Sequence, residues 1–198
     1  LKLFPVLVSR ATAIAAVDTP HAAIQLLVRA KDEAGGAVEA FELMGRRGIE
    51  FVLKNIAGQR DPLGEVHPWY VLIELASGEP GAAEAAMERL LGKALDDGLI
   101  RDAAVAQSKA QAKAFWSIRE NQSPGQKPEG ATWKHDVSVP VSRVAEFLDQ
   151  ATARMEALVP GARVTAFGHM GDGNIHYDVI RPDGGDDAAH SALRAEGS

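Results

Sequence analysis

The sequence predicts an α+β domain built from ferredoxin-like split βαβ units, with a mixed or antiparallel sheet and helices on one face. Three observations carry this. Short apolar runs rich in branched residues alternate with Ala-rich stretches of 3.6-residue periodicity. Ser, Gly and Pro punctuate nearly every junction, as layered hairpins and crossovers require. Asp172-Gly173, set between two apolar runs, marks a tight hairpin and hence at least one antiparallel strand pair.

The strands expected from branched and aromatic runs are 1–8, 37–44, 69–76, 100–106, 133–139, 162–169 and 174–180. The helices expected from periodicity are 20–33, 45–55, 81–95, 108–121 and 142–158. Thr19-Pro20 suits a helix start, because Thr can cap and Pro fits the first helical position. Ser142 is given the same capping role, and Pro160-Gly161 closes the helix it opens. Gln122 to Gly130 is polar and rich in Pro and Gly; following a helix directly, it reads as an active-site loop. The acidic Pro182 to Asp187 reads as a loop or disordered stretch, and Ala188 to Ser198 as the beginning of a helix.

Composition narrows the function classes. The 198 residues support a real hydrophobic core and are read as one domain, 1–198. A net charge of −6 argues against a nucleic-acid partner, since phosphate contacts need clustered Lys and Arg. No apolar run approaches the roughly 20 residues of a transmembrane segment. The opening Leu1-Lys2-Leu3-Phe4-Pro5-Val6 has neither an initiator Met nor a signal-peptide core, so the chain is expected to be cut from a longer one. Absence of Cys excludes disulfides and thiolate metal sites and fits a cytoplasmic protein. No Gly-x-Gly-x-x-Gly opens a helix, so no nucleotide site is expected here.

Three segments carry candidate chemistry. In Phe167 to Asp178, a two-residue turn centred on Asp172-Gly173 would pair Gly171 with Asn174, Met170 with Ile175 and His169 with His176. The two imidazoles would then share a sheet face, with Cβ atoms about 5 Å apart, and could hold one ion; Asp178 lies on the same face. A structural histidine pair with backbone partners is the alternative. In the second segment, Trp116, Arg119 and Ser123 fall at i, i+3 and i+7 of one helix, where Arg and a hydroxyl could hold a carboxylate. The alternative is a surface Arg paired with Glu120 and a Trp in the core. In the third, Lys134, Asp136 and Ser138 form a polar strand face that either binds an anion or is solvated, and His135 lies among apolar neighbours.

Trp116-Ser-Ile-Arg-Glu, Lys134-His-Asp-Val-Ser-Val-Pro and Gly168-His-Met-Gly-Asp-Gly-Asn-Ile-His resemble three motifs of the FAD-linked oxidase C-terminal domain. That family includes D-lactate, D-2-hydroxyglutarate and glycolate dehydrogenases of the vanillyl-alcohol-oxidase type. Phe41-Glu-Leu-Met and Pro68-Trp-Tyr-Val-Leu-Ile-Glu resemble it too, so the likeness spans nearly the whole chain. The resemblance implies that His169 and His176 bind a divalent metal, Zn or Mn. It implies that Arg119 and Lys134 hold the substrate carboxylate, with Ser123 at the family's hydroxyl position. Asp178 stands where the family has an Asn near the substrate. A flavin domain is expected before Leu1, and a Glu-His-Gly motif supplying a third metal ligand and a base after Ser198; Glu196-Gly197 lacks the His. No residue of this chain is therefore assigned as the catalytic base. The implied function is an FAD-dependent dehydrogenase acting on a small anionic 2-hydroxy acid, inactive as this fragment alone, with a homodimer as the candidate assembly and the electron acceptor open. The rivals are a non-enzymatic ferredoxin-like ligand-binding or regulatory module and a flavin oxidase using oxygen.

Overall fold

A computed structural model describes residues 6–197. Its elements are β1 (Ser9–Val17), α1 (Pro20–Ala34), β2 (Val38–Gly45), α2 (Arg46–Asn55), β3 (Trp69–Ser77), α3 (Ala82–Asp96), β4 (Asp102–Val105), α4 (Lys109–Glu120), α5 (Gln122–Gln126), β5 (Thr132–Ser138), α6 (Val144–Leu158), β6 (Arg163–His169), β7 (Asn174–Ile180) and α7 (Asp187–Ala192). The strands form one sheet in the order β4-β1-β3-β2-β6-β7-β5, with every pairing antiparallel. The order β4-β1-β3-β2 is the split βαβ arrangement, with α1 and α3 as crossovers and α2 inserted. A second unit follows the same plan through β5, α6, β6 and β7, giving the order β6-β7-β5.

Helices cover both faces of the sheet, where the sequence pattern placed them on one. Ala13, Ala15, Phe41, Leu43, Val71, Ile73 and Leu75 pack with residues of α1 and α3 such as Leu26, Leu27, Met87 and Leu90. The same side continues under α6 through Ile175, Tyr177, Val179 and Leu148. The alternate residues Ile14, Met44, Tyr70, Leu72 and Phe167 meet Ile49 of α2 and Ile118 of α4 on the opposite face. This explains why Tyr70 to Leu75 of β3 reads as an almost unbroken apolar run: it is buried on both sides.

Most expected elements lie within two residues of their positions, with several local departures. The first strand lies at Ser9–Val17 rather than 1–8. Of the expected span, residues 1–5 fall outside the described ones, and Val6 to Val8 precede the strand. The 122–130 loop is instead the short helix α5 and a 3-10 turn over Lys127–Glu129. Two glycines allow α5 to sit close on α2: a Cβ at Gly125 would lie 3.0 Å from the Val52 nitrogen, and one at Gly48 2.0 Å from Gln122 Oε1. Ser142 does not cap α6; a 3-10 turn over Val141–Arg143 leads into the helix without a side-chain cap. The expected Thr19 cap does form, with Oγ1 accepting from the Ala22 N–H at 3.1 Å.

Candidate functional site

Helix α4 lies on the sheet with only Ile118 fully buried, so apolar packing alone does not fix it. Two carboxylates on neighbouring strands supply anchors. Trp116 Nε1 donates to Glu74 Oε2 at 2.9 Å, and Arg119 Nε donates to Glu42 Oε2 at 2.6 Å. Glu42 is directly opposite Leu72 in the β2–β3 register, two residues from Glu74, so both acids share the face beneath α4. Glu74 also accepts from Thr12 Oγ1 at 3.1 Å and pairs with Arg10. Arg119 is therefore neither a surface residue nor paired with Glu120; its side chain is 11% exposed.

The guanidinium of Arg119 lies over the Phe167 ring, 5.0 Å from its centroid, and the His176 ring stands 4.9 Å from the same phenyl. Phe167 thus contacts both a cation and an imidazole in the cleft. Across the cleft, Lys134 Nζ donates to Ser123 Oγ at 2.5 Å. Ser123 is not on the same helix as Arg119, because the helix breaks at Asn121 (φ −90°, ψ 6°) and α5 starts anew. Both nonetheless line one cleft with Lys134, Asp136, His176 and Asp178.

Asp178 is directly opposite Lys134 on one side and Thr165 on the other, and is 2% exposed. Burial raises its carboxyl above the usual range, against the opposing pull of Lys134, Gln126 and His176. The polar face of β5 is as the alternation implied: Lys134, Asp136 and Ser138 are exposed while Trp133 is buried. His135 is half-buried, with Nδ1 against the Tyr177 carbonyl at 2.9 Å.

The hairpin departs from its expected register. His169 pairs with Asn174, Gly168 with Ile175 and Phe167 with His176. The loop is four residues, Met170 to Gly173, and the His169 carbonyl accepts from the N–H groups of Asp172 at 3.4 Å and Gly173 at 3.1 Å. The Met170 N–H is drawn to the Phe41 carbonyl of β2 at 3.0 Å, which takes it out of the hairpin ladder. Asp172 Oδ1 accepts from the Asn174 N–H at 3.0 Å, and Gly173 takes φ +80°, closing the turn. The shift moves the pairing by two residues, so His169 and His176 still share a face but sit diagonally instead of opposed.

The consequence is that the site residues do not form one cluster. Arg119, Ser123, Lys134, His176 and Asp178 share a cleft. His169 opens on an adjoining one with Glu42, Lys31 and Asp172. Glu42 is the link: its Oε1 meets His169 Nδ1 at 2.5 Å while its Oε2 holds Arg119. His176 Nδ1 instead faces Asp136 Oδ1 at 3.7 Å. Among the described residues no three His, Asp or Glu side chains gather as a metal-ligand set. Sequence reasoning missed Glu42 and Phe167. The first was visible as an acid isolated between apolar residues in Phe41-Glu42-Leu43-Met44; the second gave no signal beyond ordinary strand alternation.

Residues 8–195 match the family model for FAD linked oxidases, C-terminal domain. The chain belongs to that family. As an FAD-linked oxidase C-terminal domain it has named relatives. A D-2-hydroxyglutarate dehydrogenase of Xanthomonas citri pv. viticola is 37% identical over 146 residues, covering 74% of this chain and 30% of the relative. The mitochondrial D-2-hydroxyglutarate dehydrogenase of Arabidopsis thaliana is 34% identical over 155 residues, 78% of this chain and 27% of its own length. The chain thus spans less than a third of these relatives. Two solved structures share the fold: an alkyldihydroxyacetonephosphate synthase (TM-score 0.53, 9% identity, 97% of this chain and 39% of that one) and the 4-ethylphenol oxidase from Gulosibacter chungangensis (TM-score 0.50, 13% identity, 91% and 40%). For this FAD-linked oxidase domain those likenesses concern the backbone alone.

Proposed function

We propose that this chain is the substrate-binding part of an FAD-dependent dehydrogenase that oxidises a D-2-hydroxy acid to the 2-oxo acid. The observation that carries the reading is the meeting of Arg119 and Lys134 in one cleft, from elements distant in sequence, in a chain of the FAD-linked oxidase family. The relatives named D-2-hydroxyglutarate dehydrogenases favour that class of substrate.

Arg119 and Lys134 would bind the substrate carboxylate. A guanidinium offers a planar fork to a carboxylate, and an ammonium a compact charge beside it. Ser123, bonded to Lys134, would hold the ammonium in place. Asp178 beneath Lys134 would moderate the positive field, so that the cleft takes a small anion without drawing in every phosphate. FAD, when bound, supplies the acceptor for the C2 hydride. The described residues contain no phosphate-binding loop, so this chain's part is to bind and orient the substrate. His169 and His176 would be the imidazole donors to Zn or Mn, but here they open on different clefts and face different carboxylates, and no third ligand joins them among the described residues, so the reading assigns the metal no role on this chain alone. A homodimer and a cytoplasmic setting belong to the same reading. The second rests on the absence of cysteine, and the Arabidopsis relative is named mitochondrial.

The test is turnover by the FAD-loaded enzyme with a dye acceptor, across D-lactate, D-2-hydroxyglutarate and glycolate. Oxidation of at least one, with the L-enantiomers of the chiral acids poor, is expected. No turnover of any of them would end the proposal.

A further inference from the structure

Glu42 has no role in the reading above, yet it joins the two clefts. It is 2% exposed and sits on β2, a strand flanked by β3 and β6 in the middle of the sheet. An isolated carboxylate in such a place is strongly unfavourable unless its partners compensate. Here both oxygens are engaged: Oε2 accepts from Arg119 Nε at 2.6 Å, and Oε1 lies 2.5 Å from His169 Nδ1. Neither partner is local, at 77 and 127 residues away in sequence.

The atoms used matter more than the charge. Arg119 is held through Nε, and among the described residues no hydrogen bond ties its two terminal nitrogens. A long, flexible side chain is thereby fixed at its base while its fork stays available for a carboxylate. His169 meets the carboxylate through Nδ1, which turns Nε2 away from Glu42. One rigid carboxylate thus sets the direction of a cation and of an imidazole at once.

We propose that Glu42 is a positioning residue of the substrate cleft, orienting Arg119 through Nε and His169 through Nδ1. The inference rests on the reading of Arg119 as the carboxylate anchor. Glu42→Gln keeps the volume but leaves one acceptor for two donors, so Arg119 and His169 can no longer both be satisfied. In the FAD-loaded enzyme, with D-2-hydroxyglutarate or D-lactate as substrate, KM is expected to rise about tenfold with kcat changed much less, the pattern of lost ground-state binding. A purely structural role would lower the melting temperature and leave KM where it was.

The decisive measurement is a double-mutant cycle with Arg119→Lys. If Glu42 acts through Arg119, the double variant binds no worse than Arg119→Lys alone. Additive losses, or an unchanged KM in Glu42→Gln, would overturn the proposal while a raised KM in Arg119→Lys leaves the site reading intact. An unchanged KM in Arg119→Lys itself would remove the site reading and this inference with it. Should the Gln variant fail to fold, Glu42→Asp, which retains the charge but is one methylene too short to reach both partners, gives the same split.

Discussion

The two halves of the sheet follow one topological plan and use it differently. In the first unit, β1 and β3 are buried on both faces, and Ala, Ile, Leu and Val predominate among their buried side chains, beside Tyr70 and the polar Ser9, Thr12 and Glu74. In the second, exposed residues of β5 alternate with buried Trp133 and half-buried His135 and Val137, and the face it shares with β6 and β7 carries Lys134, Asp136, His176 and Asp178. On the proposed reading, the first unit is scaffold and the second half scaffold, half site. The two carboxylates that reach α4, Glu42 and Glu74, come from the scaffold unit. On the proposed reading, the scaffold would aim Arg119 while the other half supplies Lys134.

If that division holds, a core truncation in the first unit harms folding and spares binding. Leu75→Ala removes a fully buried side chain from the α1–α3 side of the sheet. It is expected to cost about 3 kcal/mol in urea unfolding of this chain, with KM of the FAD-loaded enzyme unchanged. A raised KM would mean that scaffold and site are not separable.

A buried charge also ties the two units together. Glu129 receives hydrogen bonds from Asn55 at 2.6 Å and Arg163 at 2.7 Å, and Lys54 lies 2.8 Å away. Burial alone would raise its carboxyl, but Lys54, Asn55 and Arg163 outweigh it and bring the pKa from 4.5 down to about 2. A carboxyl with a depressed folded pKa stabilises fully above its unfolded value, and that contribution is lost as pH falls from 4.5 towards 2. Stability is expected to drop by about 2 kcal/mol over that window, and the drop should shrink in Glu129→Gln. An identical acid profile in the variant would assign the loss to other carboxyls.

The elements most legible in the sequence were those with a local cause. β3, β6 and β7 announced themselves by branched runs, and α1 by Thr19 and Pro20. β1 did not, because Ser9 to Val17 contains four alanines and only two β-branched aliphatic residues, whereas the stretch before it is more apolar by type. The hairpin register was hidden for a different reason. A slip of two residues leaves every side chain on the same face, so the alternation pattern is blind to it. What distinguishes the two registers is the Met170 bond to Phe41, a contact across 129 positions. The site was legible as residue types on faces; the Glu42 to Arg119 pairing was not, since no local pattern encodes a partner 77 residues away.

Arg119→Lys is the complementary probe, on the site side of the comparison. Lys keeps the charge but has neither an Nε to meet Glu42 nor a fork to meet a carboxylate. A fall of at least tenfold in kcat/KM, about 1.4 kcal/mol, is expected in the FAD-loaded enzyme. The unfolding midpoint is expected to fall as well, because the buried Glu42 is left with His169 as its remaining partner, although α4 keeps its Trp116 bond to Glu74 and its Ile118 contact. Unchanged kinetics would make Arg119 a strut for α4 and nothing more.

The smallest expected effect contrasts the first helix of each unit. Thr19 precedes α1 with extended backbone (φ −144°, ψ 156°), and its Oγ1 accepts from the Ala22 N–H. α6 begins without such a bond: Arg143 precedes it at φ −104°, ψ −3°, and its N–H donates to the Pro140 carbonyl at 2.7 Å in a 3-10 turn. Val144, the first helical residue, is fully buried in the core, so packing locates the start of α6. Thr19→Ala is expected to cost about 1 kcal/mol, the usual worth of a capping hydroxyl. Ser142→Ala should stay within about 0.5 kcal/mol, as for a side chain with no structural partner. Equal losses in urea unfolding would mean that the Ser142 hydroxyl caps α6 after all, and that the two units start their helices alike.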